Sequence, residues 1–328
     1  MRAAVCPTYG PPEVVHVEEV RSPGLAPRQV RVRVDAAAVN FPDVLLVANE
    51  YQIKVPTPFV PGSEFAGIVT EVADGVDGIV AGDRVSGTGL VGAFAEEAVL
   101  SVDALTRIPA GVDERRAAAF GVAHRTAYHV LRSVGRLQPH DELVVLGAGG
   151  GVGLATVQLG ALLGGSVTAV ASSREKLDAA ASYGAHNLID HRAGDLRHAL
   201  REVLPNGADV VVDPVGGDLS EPALRALRWG GRFVTVGYAS GVIPKIPLNL
   251  VLIKGVQILG FEFLGFATNA ADEVQRNEEE LLEHFATGRV VPHIGAAFPL
   301  DETAAALRYV ADGRAIGKVV IDVTHRRS

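Results

Sequence analysis

The sequence predicts an α/β protein that combines a β-rich N-terminal domain with a doubly wound parallel sheet. Of its 328 residues, 48% are hydrophobic, enough to bury two cores. Roughly the first 120 residues carry short apolar runs between Gly, Pro and Asp, a pattern typical of strands and turns. From about Val122 onward, strand-like and helix-like segments alternate, as a parallel sheet covered by helices requires.

The first domain is predicted to span residues 1–122. Its strand-like runs are separated by turn signals and fit a compact barrel or sandwich. The predicted strands are Val14–Val17, Val30–Val34, Phe65–Val72 and Ala98–Leu100.

The second domain is predicted over residues 123–264, where six parallel strands fit the alternation. Five of the strands are located in the sequence, at 143–147, 167–171, 210–213, 232–236 and 256–260, with helices at 126–131, 151–163, 174–182 and 219–227.

Residues 265–328 contain too few elements to fold alone: a helix from Glu273 to Thr287, the pair Val290-Val291, a helix from Thr303 to Ala311 and a strand from Lys318 to Val323. We expect this segment to return to the first domain. The active site is then expected in the cleft between the two domains.

The most informative segment is the apolar run ending at Leu146, which continues into five glycines and a helix-compatible stretch. Glycines permit a sharp turn and close backbone approach, and free N–H groups at a helix start attract a pyrophosphate. A dinucleotide is therefore the predicted ligand. Its predicted contacts here are Ala148, Gly149, Gly150, Gly151, Val152 and Gly153.

The end of the next predicted strand indicates which dinucleotide binds. NAD enzymes commonly carry an acidic residue there, but this chain has Ser172, Ser173, Arg174 and Lys176. Hydroxyls and cations can bind a 2′-phosphate, so NADPH is the predicted cofactor. The alternative is that Ser173 only caps the following helix while the cations are solvated.

Composition excludes other classes of ligand. The net charge is −8 and no long run of one sign occurs, so neither nucleic acid nor a membrane is an expected partner. The N-terminal sequence has no signal-like apolar segment, and a cytoplasmic location is expected. Because Cys6 is the only cysteine, an internal disulfide and a cysteine-built zinc cluster are excluded.

Several motifs in fixed order resemble the medium-chain dehydrogenase/reductase superfamily, and within it the zinc-free quinone oxidoreductases related to zeta-crystallin. Besides the glycine segment, they are Asn40-Phe41-Pro42-Asp43, Pro61-Gly62-Ser63-Glu64, Gly82-Asp83-Arg84-Val85, the run from Ala208 to Gly217, and Gly317-Lys318-Val319-Val320. The resemblance implies a GroES-like catalytic domain joined to a Rossmann domain. It also implies a homodimer that meets along Val256 to Phe263.

The same resemblance argues against a metal. Asn40, Ser63 and the Phe120-Gly121 region stand where the zinc enzymes of the superfamily carry Cys, His and Cys. These residue types are not zinc ligands, so no metal is predicted. Glu64, beside the lost ligand, is expected to have a structural role and to hold an internal basic group.

The resemblance adds the remaining candidate residues. Further cofactor contacts are implied at His191, where related reductases carry Tyr, and at Val215, Gly237, Tyr238, Ala239, Asn249 and Lys318. Asn40 and Tyr51 match polar positions lining the substrate pocket, and Thr126, at the start of the helix that crosses between the domains, is also expected at the cleft. The alternatives are that Asn40 caps a turn, that Tyr51 anchors a loop and that Thr126 bonds the backbone.

Quinones and conjugated enones delocalise an incoming hydride onto an oxygen, which makes a metal dispensable. The leading hypothesis is thus an NADPH-dependent quinone oxidoreductase. One alternative is an enoyl reductase acting on an enone or enoyl thioester, because Asn40-Phe41-Pro42-Asp43 also resembles the enoyl reductase domains of polyketide and fatty-acid synthases. Another is a non-catalytic NADPH-binding protein with a structural or regulatory role.

Overall fold

The computed structural model describes residues 1–324 of the chain. Their contacts divide into two compact units. The first unit contains Met1–Val122 and the described part of the C-terminal segment that begins at Val291, and the second is Ala123–Val290.

The first unit is built mainly from strands. They are β1 (Arg2–Val5), β2 (His16–Glu19), β3 (Gln29–Val39), β4 (Glu64–Val72), β5 (Arg84–Thr88), β6 (Glu97–Ser101), β7 (Leu105–Arg107), β14 (Ile294–Pro299) and β15 (Lys318–Asp322). Its helices are α1 (Phe41–Val47), α2 (Glu114–Ala118) and α11 (Thr303–Ala311).

Most of these strands form one seven-stranded sheet in the order β14-β15-β3-β4-β5-β7, with β6 also paired to β3. The GroES-like β-rich fold thus centres on β3, whose last four residues, Ala36 to Val39, are all buried. They are covered on both faces because α2 packs its alanines on Ala36 and Ala38, while Ala37 and Val39 enter the main core. The small side chains allow this close double packing.

The second unit contains the predicted parallel sheet. Its strands are β8 (Glu142–Leu146), β9 (Ser166–Ala171), β10 (Ala185–Asp190), β11 (Ala208–Asp213), β12 (Leu227–Thr235) and β13 (Gln257–Gly260). All neighbouring pairs are parallel, in the order β10-β9-β8-β11-β12-β13. The prediction of six parallel strands is confirmed, and every residue of β11 is buried, as expected for a central strand.

The helices of this unit are α3 (Gly121–His129, beginning two residues before the unit), α4 (Gly151–Leu162), α5 (Arg174–Ser182), α6 (Leu196–Val203), α7 (Ser220–Arg225), α8 (Leu248–Lys254), α9 (Phe263–Asn269) and α10 (Ala271–Ala286). A π-helical turn, Val130–Val134, continues α3. Within residues 1–324, no helix is both long and apolar enough to cross a membrane.

The position of α10 differs from the sequence prediction. Residues 265–290 were expected to return with the C-terminal segment, whereas the structure keeps them in the second unit. Hydrogen bonds explain the difference: Asn277 Nδ2 donates to Ser133 Oγ over 2.9 Å, and Glu278 Oε1 accepts from Arg125 Nε over 2.6 Å. These polar pairs tie α10 to α3 and its π-helical turn, and the amphipathic pattern of α10 could not specify that partner.

Candidate functional site

The glycine turn after β8 is set by close backbone contacts. Gly147 has a φ of +60°, in the left-handed region that favours glycine. A Cβ on Gly153 would lie 2.0 Å from the Gly147 carbonyl oxygen, so the first turn of α4 and the end of β8 can meet only through a glycine. The predicted strand-to-helix turn is present.

The backbone N–H groups at the start of α4 can donate hydrogen bonds to a bound ligand. Gly150 is the N-cap and no side chain caps the helix, whereas α5 is capped by Ser173 and α6 by Asp195. The first N–H groups of a helix have no partner within it and carry its positive dipole end. The backbone of Gly151, Val152 and Gly153 therefore fits a phosphate group.

The structure brings together three of the residues predicted to bind the 2′-phosphate. Ser172 and Lys176 follow β9, the Lys176 Nζ donates to Ser172 Oγ over 3.4 Å, and the backbone N–H of His191 donates to the end of β9 at Ala171. This arrangement follows from the parallel pairing of β9 with β10, which aligns Ala171 with Asp190. Hydroxyl, ammonium and imidazole thus lie at one edge of the sheet.

Sequence reasoning missed Arg192, which adds positive charge here. Burial, and then the Arg192 charge, lower the pKa values of both Lys176 and His191. Like charges held together in this way are relieved by a bound anion. The signal available in the sequence was a second basic residue directly after His191, at the end of a strand.

Arg174 lies on the exposed surface of α5. Its Nε donates to Asp178 Oδ1 over 2.8 Å, and 79% of its side chain is exposed. Its place in the phosphate site stays a prediction.

Two further loops at the ends of β11 and β12 are joined to each other. The Ala239 N–H donates to Pro214 O over 3.2 Å and the Ser240 N–H donates to Val215 O over 2.9 Å. A Cβ on Gly147 would lie 2.6 Å from Val215 Cγ2, so Val215 borders the glycine turn. Gly237 and Tyr238 lie in the same loop as Ala239.

Asp213 holds the first of these loops. Its Oδ1 accepts the Val215 and Gly216 N–H groups, each over 2.8 Å, and its Oδ2 accepts the Ser220 hydroxyl over 2.6 Å. Asp213 is completely buried, so its role is to shape the loop.

Two predicted residues of the second unit lie outside these loops. Asn249 is exposed in the first turn of α8, and Thr126 is half-buried in the middle of α3. Their proposed contacts with cofactor and substrate stay predictions.

The first unit contains a group of polar side chains, here called the Asn40 cluster: the buried Asn40, Asp43, Glu64 and Lys318, and the half-buried Ser63. Glu64 Oε1 accepts from Lys318 Nζ over 2.7 Å and from Asn40 Nδ2 over 2.9 Å. Glu64 is 1% exposed and Lys318 is 3% exposed. The expectation that Glu64 holds an internal basic group is confirmed.

Strand pairing explains why these distant residues meet. Ala38 of β3 pairs with Glu64 at the start of β4, and Val39 pairs with Val319 near the start of β15. Asn40 follows directly as the N-cap of α1. The ends of three adjacent strands therefore converge on one point.

Lys318 has no proton left for a cofactor. Besides its bond to Glu64, its ammonium donates to Asn40 Oδ1 and, over 3.4 Å, to Val39 O. An ammonium has three N–H donors, and all three are used inside the first unit. The structure thus replaces the predicted cofactor contact of Lys318 with a buried ion pair, because a charge at this depth needs an internal partner.

The Asn40 side chain is also fully engaged. Its Nδ2 donates to Ser63 Oγ over 3.1 Å and to Glu64, while its Oδ1 accepts from Lys318. A direct hydrogen bond from Asn40 to substrate would require breaking one of these. Tyr51 is half-buried against the core of this unit, and its backbone N–H donates to Leu45 O over 3.2 Å.

Comparison with known proteins identifies the family. Residues 26–110 match the family model of the alcohol dehydrogenase GroES-like domain, and residues 151–283 match that of the zinc-binding dehydrogenase. The chain is 36% identical to the quinone oxidoreductase-like protein 2 homolog of Nematostella vectensis, over 98% of this chain and 88% of that one. The chain belongs to the medium-chain dehydrogenase/reductase family.

Its relatives place it among the quinone oxidoreductase-like members. The bovine (Bos taurus) quinone oxidoreductase-like protein 2 is 35% identical over 98% of this chain and 92% of its own. The Escherichia coli quinone oxidoreductase, solved in complex with NADPH, is 26% identical and covers 98% of this chain and 100% of that chain, with a TM-score of 0.92.

The zinc implied by one family model does not fit the residues of this chain. At two positions where the zinc enzymes carry ligands, Asn40 presents an amide that donates to the Ser63 hydroxyl, and beside them the Lys318 ammonium is bonded to Asn40 and Glu64. Zinc requires thiolate, imidazole or carboxylate ligands around one point. Across residues 1–324, no group of three or more His, Cys, Asp or Glu side chains could hold a metal ion.

Proposed function

We propose that this medium-chain dehydrogenase/reductase is an NADPH-dependent oxidoreductase that reduces a quinone or a conjugated enone without a metal. The observation that carries the proposal is the electropositive group of Ser172, Lys176, His191 and Arg192, in which the Lys176 side chain lies against Gly149 of the glycine turn. The NADPH complex of the Escherichia coli relative supports the same cofactor.

The cofactor preference rests on charge. The loop after β9 contains hydroxyls and cations where an NAD enzyme carries a carboxylate, which would repel a phosphate. Burial and the repulsion of the nearby Arg192 charge lower the pKa of Lys176. A bound 2′-phosphate would offset that repulsion. NADH has no such phosphate to offer.

In this reaction the main task of the protein is to position the cofactor and the acceptor. When bound, the nicotinamide supplies the hydride. The chain then has to hold the acceptor, exclude water and stabilise the charge that forms on the acceptor oxygen. We propose Tyr51 and Thr126 as substrate contacts, and Asn40 as a residue that fixes the Asn40 cluster.

The test is a panel of quinones, enones and enoyl thioesters assayed with NADPH and with NADH in the presence of a chelator. We expect quinones or enones to be reduced with NADPH at a rate that the chelator leaves unchanged. A thioester preference would favour the enoyl reductase alternative. Chelator-sensitive activity, or NADPH binding with no turnover on any acceptor, would contradict the proposal.

Replacing Lys176 by methionine should raise the Kd for NADPH about 10- to 100-fold, the effect of losing one charge-assisted contact. The Kd for NADH should change little. Arg201→Ala, which removes an exposed arginine on α6, is the matched control and should leave both constants unchanged. Equal losses for the two cofactors with Lys176→Met would show that the residue does not contact the phosphate.

We also propose that the second unit forms a homodimer along β13, the edge strand of the parallel sheet. An exposed strand edge offers unpaired N–H and C=O groups to a second copy, and a two-fold pairing is self-complementary. Large apolar side chains are exposed nearby: Trp229 (74%), Leu248 (76%), Leu252 (79%) and Ile253 (66%). Such a patch is rare on a monomer surface.

Placing a charge in this patch should separate the subunits. Sedimentation velocity should show a dimer for the wild type and a monomer for Leu252→Glu. The control Val203→Glu adds the same charge to an exposed apolar position on α6 and should stay dimeric. A monomeric wild type, or a dimer that survives Leu252→Glu, would argue against this interface.

A further inference from the structure

His191 is the member of the electropositive group whose charge depends on pH near neutrality. A histidine side chain ordinarily has a pKa of about 6.5, whereas lysine and arginine ordinarily lose their charge only at far higher pH. The hydroxyl of Ser172 carries no charge. The charge that this group presents to a phosphate therefore varies with the protonation of one imidazole.

Backbone pairing fixes His191 on the same edge of the sheet as the glycine turn. Because β9 and β10 pair in parallel, the His191 N–H donates to Ala171 O over 3.1 Å. Ser172 follows directly, and its Oγ accepts from Lys176 Nζ over 3.4 Å. The Lys176 side chain in turn lies against the glycine turn, since a Cβ on Gly149 would be 2.5 Å from its Cβ and Cγ. A continuous set of contacts within the second unit thus joins His191 to the predicted cofactor site.

Three charged side chains from two elements act on the His191 imidazole. Burial is the largest effect that lowers its pKa, followed by the charge of Arg192, and the charge of Lys176 lowers it further. The Asp190 carboxylate and a backbone hydrogen bond oppose this shift. Asp190 Oδ1 also accepts the Arg192 N–H over 2.9 Å. The net shift is downward, so the imidazole is neutral at pH 7 and above while the site holds no cofactor.

A bound 2′-phosphate would reverse the balance of charge around this imidazole. The second pKa of a phosphate monoester is about 6, so the group carries close to two negative charges at pH 7.5. A negative charge within a few ångströms favours the imidazolium. Protonation also turns both ring nitrogens into donors, which a phosphate oxygen can accept.

We propose that His191 takes up one proton from water when NADPH binds and contributes an imidazolium to the phosphate site. This inference rests on the proposed function, because it requires the 2′-phosphate to bind at the electropositive group. The proton returns to water when the oxidised cofactor leaves, and no bond of the cofactor changes in the process. His191 is thus the residue that makes the preference for NADPH over NADH depend on pH.

The direction of this dependence follows from linkage. If NADPH binding favours the protonated imidazole, protonation strengthens NADPH binding by the same factor. Affinity for NADPH therefore falls as the pH rises through the region between the pKa of His191 in the free protein and its pKa in the complex. Each unit between those two pKa values is worth about tenfold in Kd. NADH carries no 2′-phosphate, and its Kd should not follow this trend.

Calorimetric titration at pH 7.5 in two buffers that differ in ionisation enthalpy counts the protons taken up. The wild type should take up about one proton per NADPH bound, the full change for a single linked group. His191→Gln keeps an N–H donor but cannot become a cation, and it should take up none. His186→Gln, which replaces an exposed histidine of β10, is the matched control and should behave as the wild type. Equal proton uptake in the wild type and His191→Gln would overturn the proposal.

The Kd values for NADPH provide the second readout. Between pH 6.5 and 8.5 the ratio of the Kd of the wild type to that of His191→Gln should rise at least about tenfold, as a shift of one pKa unit implies. The ionisation of the phosphate itself affects both proteins alike and cancels in this ratio. A ratio that stays constant while both proteins bind NADPH would refute the role of His191 and leave the proposed function standing.

A measurement on the cofactor-free protein separates the two possible failures. An NMR titration of the imidazole protons should give His191 a pKa below its ordinary value, and Arg192→Gln should raise it. Saturating NADPH should raise it further in the wild type. If NADPH does not bind, the proposed function and this inference both fail. If NADPH binds and leaves the pKa of His191 unchanged, only this inference fails.

Discussion

Replacing Glu64 by glutamine is expected to destabilise the β-rich unit by about 3–5 kcal/mol, the usual cost of leaving one member of a buried ion pair alone. The Lys318 ammonium would remain buried and would lose its hydrogen bond to a carboxylate, keeping those to the Asn40 amide oxygen and the Val39 carbonyl oxygen. Urea denaturation measures the change as a lower midpoint of the transition of this unit.

Two further variants test whether the loss of stability comes from the buried Lys318 charge or would follow from removing any ion pair. Glu13→Gln breaks the exposed pair with Arg308 and should leave the midpoint unchanged, because exposed ion pairs contribute little. Adding Lys318→Met to Glu64→Gln removes the stranded charge and should restore part of the stability. A midpoint for Glu64→Gln equal to that of the wild type would show that the pair is not buried as described.

Replacing Gly153 by alanine should weaken NADPH binding by at least about 100-fold, equivalent to roughly 3 kcal/mol. The new Cβ would lie 2.0 Å from the Gly147 carbonyl oxygen, which is too close for two atoms that are not bonded to each other. The start of α4 would have to move away from β8, and its N–H groups would no longer be positioned to bind the phosphate of the cofactor. Fluorescence titration with NADPH measures the loss.

Gly194→Ala is the matched control, because a Cβ there would meet nothing within 4 Å. It should bind NADPH as the wild type does. Circular dichroism of Gly153→Ala should show that the parallel sheet persists, since the strain is local. Wild-type affinity in Gly153→Ala would mean that the turn does not hold the cofactor.

The sequence predicted the parts of the fold that depend on local pattern. Helices α5 and α11 begin and end at the predicted residues, since each has a clear apolar face and a clear end. The predicted helix Leu219–Leu227 stops earlier, at Arg225, because Leu227 already belongs to β12. Strand β14 escaped prediction, since Gly295 and Pro299 weaken its strand pattern.

In the candidate site, too, the features set by neighbouring residues could be predicted and those set by distant residues could not. The glycine turn and the basic loop after β9 could be found because their residues are close in sequence. The Asn40 cluster could not be predicted as a unit, because Lys318 reaches Glu64 only through the pairing of β15 with β3 and of β3 with β4. Its motifs were visible separately, and only Glu64 was expected to have an internal basic partner.

The most direct test of the account is calorimetric titration of the wild-type protein with NADPH and, separately, with NADH. We expect one NADPH bound per chain, with a Kd at least about tenfold lower than for NADH, as one additional phosphate contact implies. Binding of neither nucleotide, or tighter binding of NADH, would contradict it.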